Sequence, residues 1–145
     1  MFIITKNNTN IYDRKMLLFM YVYHLVFAFV YYYMSLDGSA DAYSYYYSVY
    51  DHLDEFKVTL NALNTGFIKN ITYVLIKYLD LSYLNVCLLF ASVGYFGFYF
   101  LYSLLFKDID KKYLIILFFI PSMHFWSAGL GKEPLMFFAL CLLTV

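Results

Sequence analysis

Charge is sparse in this sequence. Only 14% of its 145 residues are Asp, Glu, Lys or Arg, against about 25% in a soluble domain. The 10 basic and 10 acidic residues cancel to a formal net charge of zero, so no basic patch points to a nucleic-acid partner. Arg14 is the single arginine. Cysteine is nearly missing too. Cys87 and Cys141 sit inside apolar runs without CxxC spacing or a Cys/His cluster. That excludes a zinc ribbon and makes both thiols small buried hydrophobes. Gly129-Leu130-Gly131-Lys132-Glu133 lacks the GxxxxGK[ST] spacing of a phosphate loop. No HExxH, no Ser/His/Asp order and no glycine-rich dinucleotide loop occurs. A soluble-type enzyme site is therefore not visible, and neither a cofactor nor a metal ion is expected.

What the chain has in excess is apolar surface. It is 63% hydrophobic, with 18 Tyr, 16 Phe and a mean hydropathy of +0.65. These values describe an all-α polytopic protein whose first partner is the lipid bilayer. Residues 16–36 carry no formal charge and are long enough to cross the ~30 Å hydrocarbon layer as a helix. Ala40-Asp41-Ala42 matches the A-x-A pattern of a signal cleavage site, but signal cores run only about 7–15 residues. The run therefore reads as an uncleaved first span, with His24 inside it neutral and bonded within its own helix. A second span is expected over 84–106, where Gly94 and Gly97 suit a close helix contact. A third is expected over 113–128, short and broken or kinked at Pro121. A fourth begins at 135 and stops at 145, about half the layer at 1.5 Å per residue. The chain thus reads as three full spans and a partial fourth, the N-terminal portion of a larger membrane protein.

Between the first two spans lies a polar loop, 37–83. Tyr43, Tyr46, Tyr47, Tyr50, Leu53 and Phe56 recur at steps of three and four, the mark of an amphipathic helix. Asp41 falls near its N-terminus, where the helix dipole favours a carboxylate. A second stripe, Phe67, Ile68, Ile71, Val74, Leu75, Tyr78 and Leu79, predicts a helix lying in the membrane interface. Lys6, Arg14 and Lys15 precede the first span, and Lys107, Lys111 and Lys112 follow the second. The positive-inside rule puts both groups in the cytoplasm. Loop 37–83 and the 129–134 turn then share the outer face of the cell membrane, with the N-terminus cytoplasmic. Asn7-Asn8-Thr9 and Asn70-Ile71-Thr72 match the glycosylation sequon, a pattern that arises often by chance.

Two stretches carry candidate chemistry. Asp37 and Asp41, at the exit of the first span, have the chemistry of a general base toward a hydroxyl, though a solvated loop needs such residues as well. In PSMHFWSAGLGKEP, Lys132 offers a point charge for a phosphate and Gly129 and Gly131 leave backbone N–H groups open to an anion. A Lys132–Glu133 surface pair, a snorkelling lysine and an interfacial Trp126 explain the same residues without a ligand.

The run PSMHFWSAGLGKEPLMFF resembles a motif of bacterial polytopic proteins encoded in exopolysaccharide, capsule and O-antigen clusters. DGSADAYSYYY resembles the loop after the first span in the same proteins. The order of one span, a long outer loop with membrane-lying helices and tightly linked spans is similar to the N-terminal half of GT-C-type glycosyltransferases. The resemblance implies a Wzy-type polymerase or a glycosyltransferase using a prenyl-(pyro)phosphate-linked glycan, with other polysaccharide-assembly membrane proteins as neighbours. It implies Asp41, or else Asp37, as catalytic base. Lys132, Gly131 and His124 would bind the (pyro)phosphate, supported by Trp126, Ser127 and Glu133, and Tyr45, Tyr46 and Tyr47 would be sugar-stacking surfaces or, equally, part of an interfacial aromatic belt. Wzy-type enzymes rely on outer-face arginines in later loops, and the single arginine here precedes the first span. A non-enzymatic accessory protein and an inactive gene fragment are the alternatives.

Overall fold

A computed structural model of the chain describes residues 11–59, 65–105 and 109–144. Every regular element among them is a helix: α1 Ile11–Leu36, α2 Ala42–Tyr50, α3 Thr65–Leu79, α4 Tyr83–Leu105, α5 Lys111–Phe118, α6 Pro121–Ser127 and α7 Lys132–Leu143. Residues Arg14–Leu36 and Tyr83–Leu105 are long and apolar enough to cross a membrane. On α1, Leu18, Val22, Val26, Phe29 and Tyr33 are all exposed. An outward stripe of that kind suits lipid rather than water. The Asn7 sequon, Lys6, Lys107 and Asp108 lie outside the described residues.

α1 and α4 run antiparallel. The Tyr95 hydroxyl donates to the Leu17 carbonyl at 2.8 Å, and His24 Nε2 donates to the Ala91 carbonyl at 3.0 Å. Near the other end, the Ser35 and Tyr83 hydroxyls are hydrogen-bonded. His24 thus bonds to a neighbouring helix, which corrects the expectation of a bond within its own. Cys87 and Cys141 are free and buried.

The expected third span is not one helix. α5 ends at Phe118 and α6 starts at Pro121. Proline disfavours helical geometry in the residue before it, and Ile120 is accordingly extended, with φ −69° and ψ 115°. The break leaves carbonyls without helical donors. His124 Nε2 donates to the Phe118 carbonyl at 2.6 Å, and the Tyr23 hydroxyl to Phe119 at 3.3 Å.

α5 rises from the C-terminal end of α4, with Leu114 and Phe118 packed among Met20, Phe98 and Tyr102. α6 continues along α1 in parallel, His124 beside His24 and Phe125 against Tyr31 at 5.3 Å between rings. The chain then reverses at Ala128–Gly131. α7 descends along α4 in parallel, Pro134 at Gly94 and Phe137 at Gly97. Gly94 lies about 16 Å along α4 from Tyr83 at 1.5 Å per residue. Gly94 packs at the base of the turn, and Gly129 at its tip meets the Tyr31 ring, about 7 Å before the end of α1 at 1.5 Å per residue, so the tip is recessed below the helix ends. Residues 127–131 are all buried. The turn that the sequence places on the same side as the loop after α1 is tucked beneath that loop.

That loop and the two amphipathic helices form the cover. α2 is shorter than its periodicity suggests, because residues 51–55 form turns rather than further helix. Its buried face is Ala42, Tyr46 and Val49, whereas Tyr43 and Tyr50 are exposed. α3 buries Ile68, Thr72, Tyr73, Leu75 and Ile76, chiefly against α2, and leaves Phe67, Val74, Tyr78 and Leu79 exposed. The predicted apolar stripe is thus split into a packed edge and an open one.

Candidate functional site

A cavity of about 400 Å³ lies between the cover and the recessed tip. Its floor is Leu130, Gly131 and Glu133. Asp41, Tyr45, Ser39 and Ala40 line the side of the cover, and Tyr31, Met34, Phe125 and Trp126 complete the wall. Segments far apart in sequence thus bring two carboxylates to one aromatic-walled space.

Asp41 occupies the N-cap position of α2, but its side chain makes no capping bond. Its backbone is helical there, with φ −70° and ψ −14°, which turns the carboxylate away from the exposed N–H groups that an extended N-cap residue would bond. Asp41 Oδ2 instead accepts a hydrogen bond from the Tyr45 hydroxyl at 3.2 Å. Burial, then the Asp41 and Glu133 charges, push the Tyr45 hydroxyl above its ordinary pKa. It therefore remains a donor at neutral pH and orients the acid one helical turn before it.

Glu133 stands in the first turn of α7, where the helix dipole favours a carboxylate. Gly131 makes room for it, since a Cβ at that position would run into the Glu133 carboxylate. Gly129 plays the same part for the wall, because a Cβ there would enter the Tyr31 ring. Both glycines serve close approach.

The other candidates divide. Trp126 lines this cavity and a smaller neighbouring one of about 290 Å³, shared with Ser122, Met123, Ser127, Glu133 and Phe137. The Ser127 hydroxyl is committed to the Met123 carbonyl at 2.6 Å. Asp37 lies outside the larger cavity: it is exposed, and its Oδ1 accepts the Ser39 N–H at 3.2 Å. Lys132 is exposed at the start of α7 and lines neither space. His124 is fully buried against His24. Tyr45 lines the cavity, while Tyr46 stacks on Tyr50 and Tyr47 packs at a tilt on Tyr83 around a separate space. The sequence reading passed over Tyr31 and Phe125, which look like ordinary helix aromatics. Tyr31 is marked by its ring against Gly129 and Phe125 by its packing on Tyr31, contacts visible only in three dimensions. No group of three or more His, Cys, Asp or Glu converges as a metal site among the described residues. No protein-family model, curated protein or solved structure matches this chain.

Proposed function

We propose that this chain forms part of a membrane glycosyltransferase or polysaccharide polymerase that acts on a prenyl-(pyro)phosphate-linked glycan at the outer face of the cell membrane. The carrying observation is the meeting of Asp41 and Glu133 in one cavity walled by Tyr31, Tyr45, Phe125 and Trp126. Carboxylates accept hydrogen bonds from sugar hydroxyls, and aromatic faces pack on the apolar faces of sugar rings. In this reading α1 and α4 cross the bilayer, and the α5–α6 and α7 hairpin is embedded beside them. The N-terminus is cytoplasmic, so the cavity opens outward.

In the transfer step Asp41 takes the proton from the acceptor hydroxyl. The new bond forms from that oxygen to the donor's anomeric carbon, while the anomeric carbon–phosphate oxygen bond breaks. The phosphate leaves with the electron pair. Tyr45 holds Asp41 in place, and Glu133 binds hydroxyls of the bound sugar. Lys132, exposed beside Gly131 at the start of α7, neutralises the phosphate once it has left the cavity. Asp37 and His124 have no direct part.

The test is polymer production by cells that depend on the full-length protein. Asp41→Asn is expected to lower it by about 10²–10⁴-fold, the usual scale for loss of a general base. Glu133→Gln lowers it less, and Asp37→Asn leaves it intact. Normal polymer from both Asp41→Asn and Glu133→Gln would refute the assignment and favour an accessory role.

A further inference from the structure

His24 and His124 come from opposite ends of the chain and are both fully buried. Their Nδ1 atoms face each other at 2.9 Å. Each ring's other nitrogen already points at a backbone carbonyl, His24 Nε2 at Ala91 and His124 Nε2 at Phe118. A carbonyl oxygen only accepts, so both Nε2 atoms must carry hydrogen. The Phe118 carbonyl is at the C-terminal end of α5, where helical donors run out, and the 2.6 Å contact is that of a firm donor. A neutral imidazole carries one ring proton. Two neutral rings would therefore set two bare lone pairs against each other in a water-poor interior, or reverse one ring and set a lone pair against a carbonyl oxygen. Either choice leaves a buried polar clash.

We infer that His24 and His124 together bind one proton between their Nδ1 atoms, forming a buried imidazole–imidazolium pair that ties α6 to α1 and α4. Charge-assisted hydrogen bonds are shorter and stronger than neutral ones. The Phe98 ring lies flat on His124, 4.2 Å between centroids and 5° between planes, a face suited to a cation. The negative end of the α5 dipole also points at this ring. The titratable neighbours are few. Tyr23 of α1 touches the His124 ring, and its hydroxyl is occupied by the Phe119 carbonyl. Tyr95 of α4 lies 6.2 Å from the His24 ring, and its hydroxyl is occupied by Leu17. On α7, Glu133 lines the adjacent space with Met123 and Ser127 and hydrogen-bonds neither imidazole. With no third ligand converging among the described residues, the pair also lacks the ligand count of a metal site. The inference does not depend on the glycan reading.

The chain has three histidines, and His52 is exposed. Imidazole ¹⁵N spectra of the intact protein in lipid nanodiscs can therefore be assigned with His24→Asn and His124→Asn variants, while every conclusion is read from the wild type. The expected result is three ring protons on the pair, a scalar coupling across the Nδ1···Nδ1 bond, and no change in that count while His52 titrates. A count of two ring protons would overturn the inference. So would one equivalent of bound zinc or copper that removes the shared proton.

Discussion

Asp41 and Asp37 are four residues apart, and in sequence they are nearly interchangeable. The structure separates them by what surrounds each. Asp41 faces the cavity and is held by Tyr45. Both are exposed, but Asp37 lines no part of that cavity, and hydrogen bonds from Ser39, side chain first and then backbone, hold its pKa below the usual carboxylate value. A depressed folded-state pKa contributes stability above the unfolded value and loses it as pH falls through the folded one. Ser39→Ala should therefore move the Asp37 ¹³C carboxyl titration upward, toward an ordinary aspartate, and an unchanged midpoint would contradict the assignment. Thr72 is a second residue-level case. Its hydroxyl is the one buried side-chain polar atom among the described residues with no partner. Thr72→Val keeps the shape and removes that defect, so a gain of about 1 kcal/mol is expected in detergent-based unfolding. At this scale the sequence told which residue types bear chemistry. It did not tell their partners, because the mates of His24 and Glu133 lie on segments brought near only by packing.

Among the elements, the proline break and the α4 glycines were legible. Pro121 stops a helix by removing a donor and restricting Ile120, both local effects. Gly94 and Gly97 sit where α4 meets the hairpin. A Cβ on Gly94 would strike the Ser127 carbonyl, which is backbone and cannot swing aside, and one on Gly97 would lie 2.7 Å from the Phe137 ring. Gly94→Ala is expected to cost about 1–3 kcal/mol, the range for overpacking a tight interior. Gly38, which has nothing within contact distance of its Cβ position and a φ of +83°, serves as the comparison: its alanine variant should lose only about 1 kcal/mol to backbone strain. Equal losses at the two positions, read by thermal unfolding in one detergent, would show that the α4 contact is loose. Less legible was the face that α2 buries. The tyrosine-rich periodicity predicts Tyr43, Tyr46, Tyr47 and Tyr50 on one face; Tyr46 is buried there with small Ala42 and Val49, which permit close approach, whereas Tyr43 and Tyr50 are exposed. Tyrosine packs at a half-buried boundary as readily as in a core, so its spacing discriminates poorly.

For the whole molecule, the decisive feature is depth. Hydropathy marks apolar runs and charge bias suggests which loops share a side, and both put the loop after α1 and the α6–α7 turn at the same end. Neither measures how far a turn lies below that end. The depth follows from the short α5 and α6, the glycines at the turn and the fit of Pro134 on Gly94. Recessing the turn creates the floor of the cavity, and the loop carrying Asp41 becomes its roof. The most direct measurement of this arrangement is a short bifunctional thiol cross-link in the Asp41→Cys, Glu133→Cys double variant, in membranes. Cys87 and Cys141 are buried and remain silent. The account predicts efficient intramolecular cross-linking in that pair and little in Asp51→Cys, Glu133→Cys, where Asp51 lies at the far end of α2. No cross-link between positions 41 and 133, or equal yields from the two pairs, would contradict it.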